Sequence, residues 1–441
     1  MKKLYILCMS VFLITACSTD LDQSPENLAS ANSLTDYEGV LNAAYFYQLG
    51  TVTPLAIMGD FRADNAFMFE PPYTEFDEFD NGLTTMEDQF FRPFYSQLYK
   101  CILSANNVIE NSTDATEVGE AKFLRALSYF KLVKVFGAVP VNLSATPSTT
   151  DTSIFARQPA VDVYNNIVIE DLNDAITALN NNGLTTGRAS KMAAQSLLGK
   201  VYATMGNYGS AQPILASVVS GASAAGISLK TNFSEVFGAA NEVGNSEIIY
   251  ATQISSSIVD EYSPASDFWN WFVGDDSKSD FPVDADLNAA FDASDATGNT
   301  DLRRAVTISA DGLTAVKFPK EGGLGPEHDW IEIRLADMIL LYAETLNENG
   351  STPAAITELN KIRKRAGLSN TTATTKAAVA TAIANERRLE LAFEGHRWFD
   401  LVRNGTAQSE LNFTNADYLL FPIPVSEILA TRGVITQNDG Y

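Results

Sequence analysis

Residues 334–368 read as two helices folded back on each other. Leu335, Met338, Ile339, Tyr342, Ala343 and Leu346 fall at the three-and-four spacing that lays one apolar stripe along a helix. That helix should stop at Asn349-Gly350. A second follows, with Thr352 as its cap, Pro353 in its first turn, Ala355, Leu359 and Ile362 on its apolar face, and Gly367 at its end. Ala343, Gly350, Ala355 and Leu359 stand where the roughly 34-residue tetratricopeptide register takes small or apolar residues. A lone hairpin cannot bury both of its faces, so the pattern demands neighbours. Residues 189–215 supply a second match, through Leu198, Gly199, Tyr202, Gly206, Tyr208, Ala211 and Leu215, whose tyrosines read as core. The fold expected is mainly α: a tetratricopeptide-like helical-repeat body with long loops and a few short β pieces.

Helical periodicity also covers residues 33–49, 90–109, 117–136, 161–179 and 376–393. Two stretches break it. Residues 59–82 mix Arg62, Asp64 and Asn65 with Phe67, Phe69, Tyr73 and Phe76. Residues 227–324 are Ser-, Asp- and Gly-rich loops with short β pieces at 248–251 and 306–308 and the run Phe268-Trp269-Asn270-Trp271-Phe272. Aromatics in such loops either tuck the loop onto the body or form a ligand surface. The chain divides accordingly into a signal peptide at 1–16, a helical-repeat region at 17–226, a loop-rich insertion at 227–324 and a C-terminal region at 325–441.

No cofactor is expected. A structural calcium is the one metal reading: Asp77, Asn81, Gly82 and Asp88 fall at EF-hand offsets, and Asp284, Asp286 and Asn288 hint at a cation loop. Both are flawed, because Phe79 stands where an oxygen ligand belongs and Ala289 where the tight turn takes Gly. Acidic residues outnumber basic ones, 54 to 30, for a formal charge of −24. Such a surface repels phosphate backbones, which excludes nucleic acid as a partner. The two histidines, His328 and His396, are far apart in sequence, and no nucleophile elbow, phosphate-cradling loop or dinucleotide fingerprint occurs. A glycoside hydrolase needs only two facing carboxylates, so that class remains an alternative.

Lys2 and Lys3 precede a short apolar run, too short to span a bilayer and shaped like a secretory signal. Ile14-Thr15-Ala16-Cys17 resembles a bacterial lipobox, which makes Cys17 the expected lipid-attachment residue. Asp20 and Asp22 behind it resemble acidic export signals of surface lipoproteins. With Cys8 removed and Cys17 acylated, Cys101 is the one free thiol, and no intrachain disulfide can form.

The C-terminal third resembles the SusD/RagB family of outer-membrane nutrient-binding lipoproteins. The resemblance rests on Arg334-Leu335-Ala336-Asp337 with Tyr342-Ala343-Glu344, Leu359-Asn360-Lys361-Ile362-Arg363 with Arg365-Ala366-Gly367-Leu368, and Glu386-Arg387-Arg388 through Phe393-Glu394-Gly395, Arg397, Asp400-Leu401 and Arg403. Phe421-Pro422-Ile423-Pro424 and Gln437-Asn438 fit as well, as do Phe123-Leu124-Arg125-Ala126, Phe136-Gly137-Ala138-Val139-Pro140 and Ile169-Glu170-Asp171-Leu172 upstream. Asp439 departs from the family's frequent Pro. On its own terms the alternating Glu and Arg of 386–403 suits a charged network that locks this helix to the body, with His396 and Trp398 as packing residues.

The resemblance implies about four tetratricopeptide-like hairpins, with loops on the other face forming a shallow glycan site. It also implies a partner, a SusC-like TonB-dependent outer-membrane transporter to which such lipoproteins deliver oligosaccharide from the cell surface. A peptide-binding member of the same family is the alternative. A glycan site needs aromatic planes and polar groups together. The candidate ligand-binding residues are therefore Arg62, Asp64, Asn65 and Tyr73 in the first loop and Trp269, Asn270 and Trp271 in the second. The expectation is that the fold joins these loops, with Trp269 or Trp271 stacking alongside Tyr73 while Arg62 and Asp64 bind hydroxyls.

Overall fold

In the computed structural model, residues 36–148, 151–238, 241–242, 244–254, 268, 270–272, 282–296, 299–318 and 328–441 are described; the signal segment, Cys17 and Trp269 lie outside them. The principal helices are α1 (Tyr37–Leu49), α2 (Arg92–Asn111), α3 (Ala115–Phe136), α4 (Ile169–Ala178), α5 (Lys191–Thr204), α6 (Tyr208–Gly221), α7 (Ala285–Asp295), α8 (Leu335–Glu348), α9 (Thr352–Arg365), α10 (Lys376–Glu390) and α11 (Arg397–Arg403). Capping side chains set several starts. Asp114 accepts the N–H groups of Thr116 and Glu117 ahead of α3, Ser190 that of Ala193 in α5, and Thr375 that of Ala378 in α10.

Eight of these helices pack in series: α2 on α3, α3 on α4, α4 on α5, α5 on α6, α6 on α8, and α8 on both α9 and α10. The two tetratricopeptide-like matches are thus the α5–α6 and α8–α9 hairpins, set side by side through α6 and α8. Gly199 shows why the register takes a small residue there. A Cβ at that position would lie 2.5 Å from the Leu215 side chain of the facing helix. The turn between α5 and α6 runs through Gly206, at φ 70°. Tyr202 and Tyr208 of this hairpin are half-buried rather than core, and the Tyr208 hydroxyl reaches Glu344 at 3.3 Å.

Residues 227–334 interrupt this series between α6 and α8. Among the described strands, β1 (Val139–Pro140) pairs with β2 (Arg157–Gln158), and β3 (Ile248–Thr252) pairs antiparallel with β4 (Trp330–Arg334), which runs straight into α8. Several local expectations are corrected. Ser351, not Thr352, is the cap position of α9, and the Thr352 hydroxyl instead donates to Asn347 Oδ1 at 2.9 Å. The expected β piece at 306–308 is the end of a short helix, Arg304–Thr307, with only Ile308 bridging to Ala315. Asp284 caps α7, accepting the Asp286 N–H at 2.7 Å, while Asn288 donates to Gly312 O at 2.8 Å. Asp80 likewise accepts the Gly82 N–H at 2.7 Å. These acids start helices. Among the described residues, no three His, Cys, Asp or Glu side chains converge as a metal site would need, and no helix is long and apolar enough to cross a membrane.

The Glu/Arg alternation of α10 belongs to a buried charge network. Arg334 meets Glu390 at 2.6 Å, Glu394 at 2.7 Å and Glu247 at 3.0 Å; Arg303 meets Asp301 and Glu386 at 2.7 Å and Glu390 at 3.2 Å. Lys317 pairs with Glu394, Arg365 with Glu247 and Glu390, and Arg363 with Glu386. Five cations thus face five carboxylates: Arg303, Lys317, Arg334, Arg363 and Arg365 against Glu247, Asp301, Glu386, Glu390 and Glu394. Burial of so many charges is tolerable only because each is paired and hydrogen-bonded.

Candidate functional site

The first aromatic loop is pinned to the C-terminal turn that follows α10. Asp60, fully buried, accepts the N–H of Gly395 at 2.8 Å, that of Phe393 at 3.1 Å and the Asn65 amide at 2.9 Å. Burial pushes its carboxyl up to about 6 despite these donors. Gly59 makes the approach possible, since a Cβ there would lie 2.4 Å from the Gly395 backbone.

Three of the residues expected to touch ligand are part of this fastening. Arg62 is fully buried, donating to Phe76 O at 2.8 Å, Tyr418 O at 3.3 Å and Glu75 O at 3.4 Å, its guanidinium 4.2 Å from the centre of the Phe79 ring. Asp64 is buried and forked by Arg397 at 2.7 and 2.8 Å, with Arg388 at 3.1 Å. Burial raises its carboxyl, but the two guanidinium groups outweigh that and hold it below the usual range. Asn65 donates to Asp60 and accepts from Arg388 Nε at 3.1 Å. Arg62, Asp64 and Asn65 are buried, and the bonds they make run to the protein itself. They shape the loop instead.

The two loops do come together. Ala66 bridges Val283, the Phe67 N–H donates to Pro282 O at 3.0 Å and the Asp284 N–H to Asn65 O at 3.1 Å. Phe61 stacks on Phe272 at 5.1 Å, and Tyr73 sets its ring edge-on to Trp271 at 5.2 Å and 84°. Trp271, however, is 1% exposed and also contacts Phe90 at 5.6 Å, so it is a core ring supporting Tyr73 rather than a platform for ligand. Asn270 is half-buried beside it.

What faces solvent here is a different ring. Phe69 is 48% exposed. Tyr73 is half-buried, its hydroxyl accepting from the exposed Gln89 amide at 3.2 Å, and its N–H donates to Glu70 O at 2.9 Å. The signal for Phe69 lies in the alternation of an extended segment: Ala66 and Met68 point inward, Phe67 and Phe69 outward. The exposed Phe69 and, four residues on, Tyr73 with the Gln89 amide on its hydroxyl offer apolar planes and a neutral amide. That set suits C–H faces and hydroxyl edges and supplies no nucleophile–base pair.

Comparison with known proteins finds sequence and fold similarity along the chain. Residues 19–203 match a family model described as starch-binding associating with outer membrane, and residues 298–417 match that of the SusD family. A SusD-like protein of Formosa agariphila is 25% identical, the alignment covering 100% of this chain and 100% of that one. A SusD superfamily protein from Parabacteroides distasonis superposes with a TM-score of 0.76 at 22% identity, over 94% of this chain and 100% of the other. The solved structure of a laminarin-binding SusD-like protein does so with a TM-score of 0.74 at 25% identity, over 92% and 99%.

Proposed function

This chain belongs to the SusD/RagB family, and on that premise we propose that it is a glycan-binding protein whose ligand lies across the Phe69–Tyr73 edge, with Asn270 and Trp269 as further contacts. The observation carrying this reading is an exposed Phe69, four residues from a Tyr73 whose ring stands edge-on to the buried Trp271. Rigid aromatic planes cost little ordering on binding and take the flat faces of sugar rings. The role is binding, not catalysis. Delivery to a SusC-like TonB-dependent transporter, with Cys17 lipidated and the body facing the cell exterior, completes the reading.

A panel of polysaccharides, laminarin among them, and of peptides tests it on the chain lacking residues 1–17. Saturable glycan binding without product release is expected, weakened by Phe69→Ala. Peptide binding at this edge, or release of reducing sugar abolished by one carboxylate substitution, would favour the alternatives. Cys17→Ala should release the protein from the membrane fraction, and unchanged fractionation would remove the anchoring claim.

A further inference from the structure

A cavity of about 500 Å³ opens among α3, α5, β4 and α11, and none of its lining residues comes from the two aromatic loops. Its walls are largely apolar, with Leu127, Phe130, Leu197 and Phe399 prominent. Most cations that line it are paired: Lys131 with Glu332, Lys200 with Asp337, Arg387 with Asp337 and Asp400, Arg403 with Glu344 and Asp400. Lys134 is the exception. Among the described residues it has no ion-pairing or hydrogen-bonding partner, and its ammonium sits 4.0 Å from the centre of the Phe399 ring. Glu332 and Asp400 are the carboxylates in its field, and both are committed to the pairs just named. Burial, with Lys200 adding to it, pushes the Lys134 amine down to about 7. The His396 ring lines the same space and is kept neutral, burial holding it down at about 3, so it can add an uncharged N–H donor.

A Lys that makes no ion pair, its head over the Phe399 and Phe130 rings in a largely apolar chamber of drug-sized volume, is complementary to one kind of guest. We propose that this cavity is a second binding site, separate from the glycan face, for a small organic monoanion with an apolar body, its carboxylate on Lys134 and its body against Phe399, Phe130 and Leu127. An oligosaccharide, neutral and hydroxyl-rich, matches neither the charge nor the walls.

Calorimetric titration of the full chain with 1-naphthaleneacetate and with the neutral 1-naphthaleneacetamide tests this. The acid should bind once per chain and the amide at least about tenfold more weakly, the deficit expected from losing a charge-assisted contact. Lys134→Met should abolish the preference for the acid while leaving glycan binding unchanged, and Lys134→Arg should retain it. Should Lys134→Met fail to fold, the acid–amide comparison on the parent and the Lys134→Arg chain carry the test. Equal binding of acid and amide, undiminished preference in Lys134→Met, or no binding of either probe would overturn the proposal.

Discussion

Asp64 and Arg397 lie 333 residues apart and meet in a buried, two-pronged ion pair, Nε donating to Oδ1 at 2.7 Å and Nη2 to Oδ2 at 2.8 Å. Arg388 joins the same carboxylate at 3.1 Å. Asp64→Ala would therefore take the forked carboxylate from Arg397 and one of several partners from Arg388. The expected loss of stability is about 3–5 kcal/mol, read from urea unfolding. A variant with a normal unfolding midpoint but lost glycan affinity would return Asp64 to the ligand.

The rings should separate by role. Phe69→Ala and Tyr73→Ala are expected to weaken glycan binding by roughly ten- to a hundredfold, Phe69→Ala at unchanged melting temperature. Trp271→Ala should instead cost about 3–5 kcal/mol of stability, as truncation of a large buried ring does. Titration and thermal melting of the three variants side by side decide it, and a stable Trp271→Ala chain would contradict the burial argument.

Two glycines offer a test of backbone against side-chain contact. At Gly59 a methyl group would lie 2.4 Å from the Gly395 backbone, which cannot yield without breaking the bonds to Asp60. At Gly199 the obstacle is the Leu215 side chain at 2.5 Å, which can change rotamer. Gly59→Ala should sit at or above the upper end of the roughly 1–3 kcal/mol cost of overpacking, and Gly199→Ala below it. Chemical denaturation showing the reverse order would refute this.

Stability should pass through a maximum in mildly acidic solution. Burial raises the carboxyls of Asp337, Glu390, Glu394 and Asp400, but their Arg and Lys partners outweigh it and leave all four depressed. Their contribution is present above the unfolded carboxylate range and is lost as pH falls toward the folded values. Asp60 and Asp329 run the other way: burial lifts each to about 6, so the protonated form favours the fold and that contribution fades as pH rises through 6. Self-repulsion from a formal charge of −24 at neutral pH acts in the same direction. The melting temperature is expected to peak between about pH 4 and 6; calorimetry showing a steady rise to pH 8 would contradict it.

The helical body was legible in the sequence because packing dictates residue size there, as Gly199 against Leu215 shows. The charge network was legible too, since Glu386, Arg387, Arg388 and Glu390 can share one helix with the buried Leu389 only if they find partners. The polar residues of the first loop were not. Arg62, Asp64 and Asn65 display hydrogen-bonding capacity, but Tyr418, Arg397 and Arg388, which use it, lie more than three hundred positions onward. The aromatic run at 268–272 failed as a guide for a related reason: whether a ring is core or surface depends on what covers it, and Tyr73 and Phe90 cover Trp271. At 306–308, β-branched Val306, Thr307 and Ile308 favour a strand, yet Arg303, held by Asp301 at 2.7 Å, carries the chain into a helical turn.

The clasp between Gly59–Asp60 and the turn at 393–395 also bears on the order in which the molecule can be made. A growing chain emerges with its first aromatic loop held only by local bonds such as Asn65 to Asp60, because the two backbone donors that fasten Asp60 to the body come more than three hundred residues later. The early helices can form from local contacts, but the loop must wait for a contact of very long sequence separation, the slow kind. Chains shortened before residue 393 should therefore keep α2 and α3 and leave the Phe69–Tyr73 loop unfastened, although every residue of that loop is present.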